Sequence, residues 1–324
     1  MGTPLPIAPA APHAEADTPR RRALLMMLAA PVCWSLGGLL VRALSITNAW
    51  EIVFWRSLAM VLFVAGALLA MHGRAMPRAV RDVGLPGLLS GALLAGTFFF
   101  FIGSLTRTTV ASTFVLMSLS PFLAAIASRM FLREPVPLRT WITMAIAFAG
   151  VMIMFSDALD AGRWTGNLLA LGVSVCFALN LVTLRRFRAS ADMLPAVMIA
   201  GLLSLGPAFA LAGPFAATAR DLLVLAFAGC VQLGAGCLLM TAASRHLSPT
   251  EIGLLALLEP ILGPVWVWAL LGERPSTLAL AGAIVVLAAV LADQAFAAWS
   301  AAARRHGRTS RLRTTTAIRR PHAP

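Results

Sequence analysis

Apolar residues in this chain form ten long runs separated by short polar connections. The runs cover approximately residues 23–44, 51–71, 84–104, 107–131, 138–156, 165–184, 194–216, 221–243, 250–271 and 277–297. A helix needs about 20 apolar residues to cross about 30 Å of hydrocarbon. Backbone groups in lipid must satisfy their own hydrogen bonds, and continuous runs of this length do so as α-helices. The pattern therefore predicts an all-α integral membrane protein with ten transmembrane helices.

Uncommon residues recur in the same order in the two halves of the chain. Residues 32–36 (VCWSL) align with residues 175–179 (VCFAL), 143 positions later. A second offset of 139 positions pairs two prolines and two glutamates, with the same 13-residue interval in each half: Pro121 with Pro260 and Glu134 with Glu273. This recurrence predicts an internal duplication.

The duplication predicts four segments. They are an N-terminal cytoplasmic tail (1–22), a first five-helix repeat (23–156), a second five-helix repeat (157–298) and a basic cytoplasmic tail (299–324). Since five is an odd number of crossings, the second repeat must be inverted relative to the first. Inverted repeats are typical of secondary transporters, whose substrate site lies near the membrane midplane between the repeats.

Composition and charge agree with a membrane protein and set its orientation. Only 12% of the residues are charged, against about 25% in soluble domains. The net charge of +13 comes from arginine alone, and seven arginines lie in residues 299–324, where there is no acid. No basic groove with stacking aromatics accompanies them, so a nucleic-acid partner is not expected. Arginine-rich connections on the side of both tails predict two cytoplasmic termini in a bacterial-type inner membrane.

Several motifs in a fixed order make the chain similar to a known family. They are Trp34-Ser35, Phe54-Trp55-Arg56, Leu119-Ser120-Pro121 through Arg133-Glu134, Gln232, and Leu258-Glu259-Pro260 through Gly272-Glu273-Arg274. Over residues 23–297 the chain resembles the EamA-type members of the drug/metabolite transporter superfamily. The resemblance implies a central cavity lined mainly by spans 1, 3, 4, 6, 8 and 9. It also implies movement of small metabolites, often amino acids and often outward.

Five residues are candidates for this cavity. Glu259 lies near the centre of span nine, where a carboxylate costs about 2.5 kcal/mol or more. It is either a site for a substrate ammonium group or a proton, or a structural carboxylate beside Pro260. Asn180 and Gln232 are either substrate ligands or partners in interhelical hydrogen bonds. Trp34 is a candidate because a buried indole N–H needs a partner, and Phe99 is chosen from the run 98–101, which covers every face of its helix.

Arg56 and the repeated prolines and glutamates are candidates for other roles. Arg56 either binds a substrate carboxylate or, as the sequence favours, snorkels to the interface or pairs with Glu51. Pro121 and Pro260 interrupt equivalent helices and are predicted hinges. Glu134 and Glu273 either latch the two gates by pairing with arginines or cap helices.

The sequence thus predicts a transporter that moves small metabolites, most often amino acids, outward by alternating access. A flippase for a lipid or lipid-linked sugar is the alternative, and an intramembrane enzyme is a weaker one. The four cysteines and five histidines have no metal-type spacing, and no catalytic triad or phosphate-binding loop is apparent. No cofactor or metal is therefore expected, while proton coupling stays open.

Overall fold

The computed structural model describes residues 18–156, 164–188, 192–271 and 276–296. Within these residues the chain is helical, and ten helices are long and apolar enough to cross a membrane. We number them α1 to α10: Pro19–Arg42, Ala49–Asp82, Gly84–Leu105, Val110–Leu132, Leu138–Phe155, Trp164–Phe187, Pro195–Ala212, Ala219–Ala243, Pro249–Leu270 and Thr277–Phe296. The predicted all-α integral membrane fold with ten spans is confirmed.

Polar residues and glycines set the helix ends. The side chains of Asn48, Thr109, Thr218 and Ser248 each accept a hydrogen bond from a backbone N–H in the first turn of α2, α4, α8 and α9. Such N-caps satisfy amides that have no partner inside the helix. Helix α7 ends at Ala212, four residues before the end of its apolar run, because Gly213 turns the chain with φ +67°.

Helices α4 and α9 are interrupted at equivalent places. The first half of α4 ends at Met117 and the first half of α9 ends at Ala256. Met117 and Ala256 lie four positions before Pro121 and Pro260. In a continuous helix, the carbonyl of the residue four positions before a proline clashes with the proline ring. The second halves then begin at Ser120 and Leu258. The duplicated prolines therefore explain why both helices break at the same point of the repeat.

Three other helices also depart from regular geometry. Helix α2 has a break at Gly73, with φ +53°, between Ala49–His72 and Met76–Asp82. Helix α1 has a break at Leu36, between Thr18–Ser35 and Gly37–Arg42. The middle of α8, Ala228–Ala235, is wound as a π-helix. Short π-helical segments occur often at functional sites.

The helices pack in an arrangement that brings α1, α4, α8 and α9 together. Helix α3 packs along α6, α7 against α2 and α3, and α8 against α1 and α2. The second half of α4 contacts the first half of α9, where a Cβ on Gly253 would lie 3.0 Å from Cα of Pro121. Gly150 and Gly282 allow α5 and α10 to pack closely at one edge. Large apolar side chains such as Leu62 and Ile284 point outward and are two-thirds exposed, as lipid-facing residues are.

Candidate functional site

A cavity lies where the broken helices α4 and α9 meet. We call it the central cavity. Its walls come from α1, α2, α3, α4, α6, α8 and α9, and both helix breaks reach it, through Ser118 and Leu257. The lining therefore includes all six expected spans, 1, 3, 4, 6, 8 and 9, and in addition α2. The volume of the central cavity is about 80 Å³, well below the roughly 300–1,000 Å³ of typical small-molecule sites.

Two side chains that carry opposite charges when ionised line this mainly apolar cavity. Arg56 on α2 is 2% exposed and Glu259 on α9 is 8% exposed. The Nε and Nη1 atoms of Arg56 are buried and have no hydrogen-bond partner among the described residues. The expectation that Arg56 snorkels or pairs with Glu51 is wrong: the Oε1 atom of Glu51 accepts from the backbone N–H groups of Ala216 and Ala217, at 2.9 and 2.8 Å.

Trp34 and Gln232 also line the central cavity, on neighbouring helices. The Nε2 atom of Gln232 donates to the carbonyl oxygen of Trp34 at 3.5 Å, close to the break in α1. The Oε1 atom of Gln232 is buried and has no partner among the described residues. The Trp34 ring meets Phe177 edge to face at 6.0 Å, and its indole lies against Gly236, where a Cβ would overlap it.

Two expected cavity residues lie elsewhere. Asn180 is fully buried between α6 and α3, and its Oδ1 atom accepts a hydrogen bond from Oγ of Ser90 at 2.6 Å. Phe99 packs against Trp50 with ring centroids 5.5 Å apart. The expectation that these two line the central cavity is therefore wrong. From the run 98–101, Phe98 and Phe101 line it instead, because the packing of α3 on α6 turns those two rings inward.

The predicted hinge and gate residues are placed as follows. Pro260 lines the central cavity, whereas Pro121 lies beside it, after the lining residue Ser120. The Oε1 atom of Glu134 accepts from Nε of Arg185 at 3.1 Å. Glu273 lies outside the described residues.

Small polar residues at the break in α4 were missed by the sequence reasoning. Ser118, Ser120 and Ser174 line the central cavity, as does Cys237, which the sequence suggested only as a packing residue. The Oγ atom of Ser174 donates to the carbonyl of Leu116 at 2.8 Å. This carbonyl lies in the last turn before the break, where the regular helical hydrogen bonds end. A serine on a neighbouring span therefore supplies it with a hydrogen-bond donor. The Ser-Pro pair at 120–121 was the available signal.

The site offers hydrogen-bonding and charged groups, with no evident metal centre. Among the described residues, no three His, Cys, Asp or Glu side chains are grouped so that they could hold a metal ion. The charged and hydrogen-bonding side chains of the central cavity can bind a polar or charged small molecule within an apolar wall.

The chain is similar in sequence to a known protein family and in fold to a solved structure. The EamA-like transporter family matches the chain twice, over residues 21–156 and 164–292. The pseudopaline exporter CntI of Pseudomonas aeruginosa (strain UCBPP-PA14) is 26% identical over 281 residues, which cover 83% of this chain and 94% of that protein. A solved structure, described only as the crystal structure of a protein, superposes with a TM-score of 0.73 at 17% identity and covers 84% of this chain and 96% of its own. The last likeness concerns the fold alone.

Proposed function

The chain belongs to the EamA-like transporter family, and we propose that it exports small zwitterionic metabolites, amino acids foremost, by alternating access. Membership of this family makes the chain a multi-pass membrane transporter. The proposal adds the substrate class, the direction and the mechanism. The relative named as an exporter supports the direction.

The observation that carries the proposal is the presence of Arg56 and Glu259 in one cavity. Charged side chains at membrane depth are costly and usually serve ion or substrate pathways. A guanidinium with free N–H groups binds a carboxylate in two parallel hydrogen bonds, and a carboxylate binds an ammonium group. An amino acid carries both complementary groups, so it would satisfy both side chains at once.

The neutral residues of the central cavity would complete the substrate contacts. The substrate ammonium group, bound by Glu259, can donate a further hydrogen bond to the Oε1 atom of Gln232, which has no partner among the described residues. The rings of Trp34, Phe98 and Phe101 supply an apolar wall for the substrate side chain. We therefore expect a preference for amino acids with apolar side chains.

Alternating access follows from the duplicated architecture. Each matched segment holds five spans, so the two repeats, 23–156 and 157–298, would have opposite orientations. Such repeats can exchange conformations and open a midplane site to each side in turn. The breaks before Pro121 and Pro260 lie at the cavity and are the proposed hinges. A cavity of about 80 Å³ must widen to admit a metabolite, which supports a cycle with an occluded state.

Two ion pairs support a gate at the end of the bundle where α1 begins and α10 ends. Arg20 donates to Glu251 at 2.5 Å, and Arg185 donates to Glu134 at 3.1 Å. The second pair joins the first repeat to the second, and the first pair joins the residues that lead into α1 to the second repeat. The arginine distribution assigns this end to the cytoplasm, so Glu134 would help to hold the inner gate closed.

A counterflow screen in proteoliposomes tests the proposed function. Liposomes are loaded with one unlabelled amino acid at a time, and uptake of the labelled form is followed. We expect Arg56→Gln and Glu259→Gln to lower substrate affinity at least tenfold, because the loss of one partner of a buried charged contact costs about 2–5 kcal/mol. Arg107→Gln is the matched control, since Arg107 is an exposed arginine outside the central cavity.

Other outcomes would redirect the proposal. Unchanged counterflow in both cavity variants would remove Arg56 and Glu259 from substrate binding. Translocation of a labelled lipid without amino acid counterflow would favour the flippase, and the appearance of a chemically altered product would favour an enzyme.

A further inference from the structure

A second polar cavity lies between the inner ends of α4, α5, α9 and α10. We call it the inner cavity, and its charged and polar walls include Ser128, Glu134, Arg139, Glu251 and Asp293. It shares no lining residue with the central cavity. Its volume is about 140 Å³, enough for several water molecules at about 30 Å³ each.

Three buried polar atoms, one on each of three residues that line the inner cavity, have no hydrogen-bond partner in the part of the chain that the structure describes. They are Oγ of Ser128 on α4, Nη1 of Arg139 on α5 and Oδ1 of Asp293 on α10. Asp293 is only 5% exposed, and no other charged residue lies in α10. A buried polar atom without a hydrogen bond is costly. The inner cavity is thus built for water or a small polar ligand.

The charged groups near Asp293 lie on α5, α9 and the connection after α4, and Arg139 and Glu251 act on its carboxylate electrostatically. From α5, Arg139 places its guanidinium carbon 4.4 Å from the ring centroid of Phe296. From α9, Glu251 binds Arg20, and from the connection after α4, Glu134 binds Arg185. Since Nη1 of Arg139 and Oδ1 of Asp293 both lack a partner among the described residues, these two atoms are not hydrogen-bonded to each other.

From this arrangement we propose that Asp293 binds and releases the proton that drives transport. The inference rests on the proposed transport function. Oδ1 of the ionised carboxylate would accept a proton from a hydronium ion in the inner cavity, leaving a neutral acid and a water molecule, and the reverse step would release it. A proton needs a single acceptor atom, and Oδ1 of Asp293 has no hydrogen-bond partner among the described residues.

Coupling arises because both repeats form the inner cavity. Ser128, Glu134 and Arg139 belong to the first repeat, and Glu251 and Asp293 to the second. Relative movement of the repeats therefore changes how much water reaches Asp293. A carboxylate that loses water favours its neutral form, so proton binding and the conformational equilibrium bias one another.

The test separates coupling from transport in proteoliposomes. Asp293→Asn should keep counterflow at equal pH within about twofold of wild type but lose accumulation driven by a pH gradient, which for one proton per substrate is about tenfold per pH unit. Asp82→Asn is the control, being the same chemical change at an exposed position, and Asp293→Glu should retain accumulation. If Asp293→Asn does not fold into the membrane, Asp293→Ser is used in the same test.

A second readout needs no substrate. Infrared difference spectra between acidic and neutral pH should contain a protonated-carboxyl band that disappears in Asp293→Asn and persists in Asp82→Asn. If the two variants give the same infrared band, the proposal is overturned. It is also overturned if Asp293→Asn still accumulates substrate along a pH gradient or loses counterflow at equal pH. Transport by the wild type that a sodium gradient alone can drive would overturn it as well. If the wild type moves no amino acid, the proposed function fails and the infrared band still decides proton binding.

Discussion

Gly229 lies where α8 crosses α2, and we expect its replacement by alanine to destabilise the protein. A Cβ at this position would overlap the carbonyl oxygen of Arg56 and lie 2.6 Å from Cβ of Ala59 and 2.9 Å from the backbone nitrogen of Met60. These atoms belong to the backbone or lie next to it, so no side-chain rotation removes the overlap. The two helices would have to separate by about 1 Å to restore ordinary contact.

The size of the effect follows from two opposing contributions. Overpacking of this kind costs about 1–3 kcal/mol, and contacts with backbone favour the upper end. Alanine gains about 1 kcal/mol over glycine in a helix interior. The expected net loss is about 2 kcal/mol, which lowers the apparent Tm by about 5 °C.

The assay is thermal unfolding of purified protein in detergent, followed by the thiol reactivity of Cys237, which is buried in the folded protein. Gly66→Ala is the matched control, because Gly66 lies on α2 and has no atom within 4 Å of its would-be Cβ. Its Tm should stay equal to the wild-type value or rise. If Gly229→Ala unfolds at the wild-type temperature while folding normally, the close packing of α8 on α2 is refuted.

Three other substitutions test separate parts of the account. Asn180→Ala removes the hydrogen bond to Ser90, so it should lower the stability by about 0.6 kcal/mol, with a slightly lower Tm, and leave the KM for counterflow unchanged; an altered KM would return Asn180 to the site. Pro260→Ala restores a backbone N–H that can donate to the carbonyl of Ala256, and we expect a slower transport rate with an equal or higher Tm; an undiminished rate would argue against the hinge. Glu134→Gln should cost no more than about 1 kcal/mol of stability, because its pair with Arg185 is partly exposed; a larger loss in unfolding experiments would contradict that estimate.

The number of spans and the breaks in α4 and α9 could be read from the sequence because they depend on local properties. Run length and hydropathy decide whether a segment crosses a membrane. Proline acts on the residue four positions earlier in its own helix. The breaks at Met117 and Ala256 are therefore encoded within a few residues of Pro121 and Pro260.

The orientation of individual side chains could not be read in this way. Arg56 is close enough to the interface for snorkelling, yet α8 packs over it because Gly229 allows close approach. Phe98 and Phe99 differ by 100° around α3, and only the packing of α3 decides which one faces inward. The partner of Asn180, Ser90, is 90 residues away. These contacts depend on the assembled helices.

Competition by chemically capped amino acids tests the central claim most directly. The claim is that Arg56 and Glu259 bind the two charged ends of one substrate. The account predicts that a transported amino acid inhibits its own labelled counterflow, while its methyl ester and its N-acetyl derivative inhibit at least tenfold more weakly. In Arg56→Gln the ester and the free amino acid should become equivalent. Equal inhibition of the wild type by the free and capped forms would contradict the account.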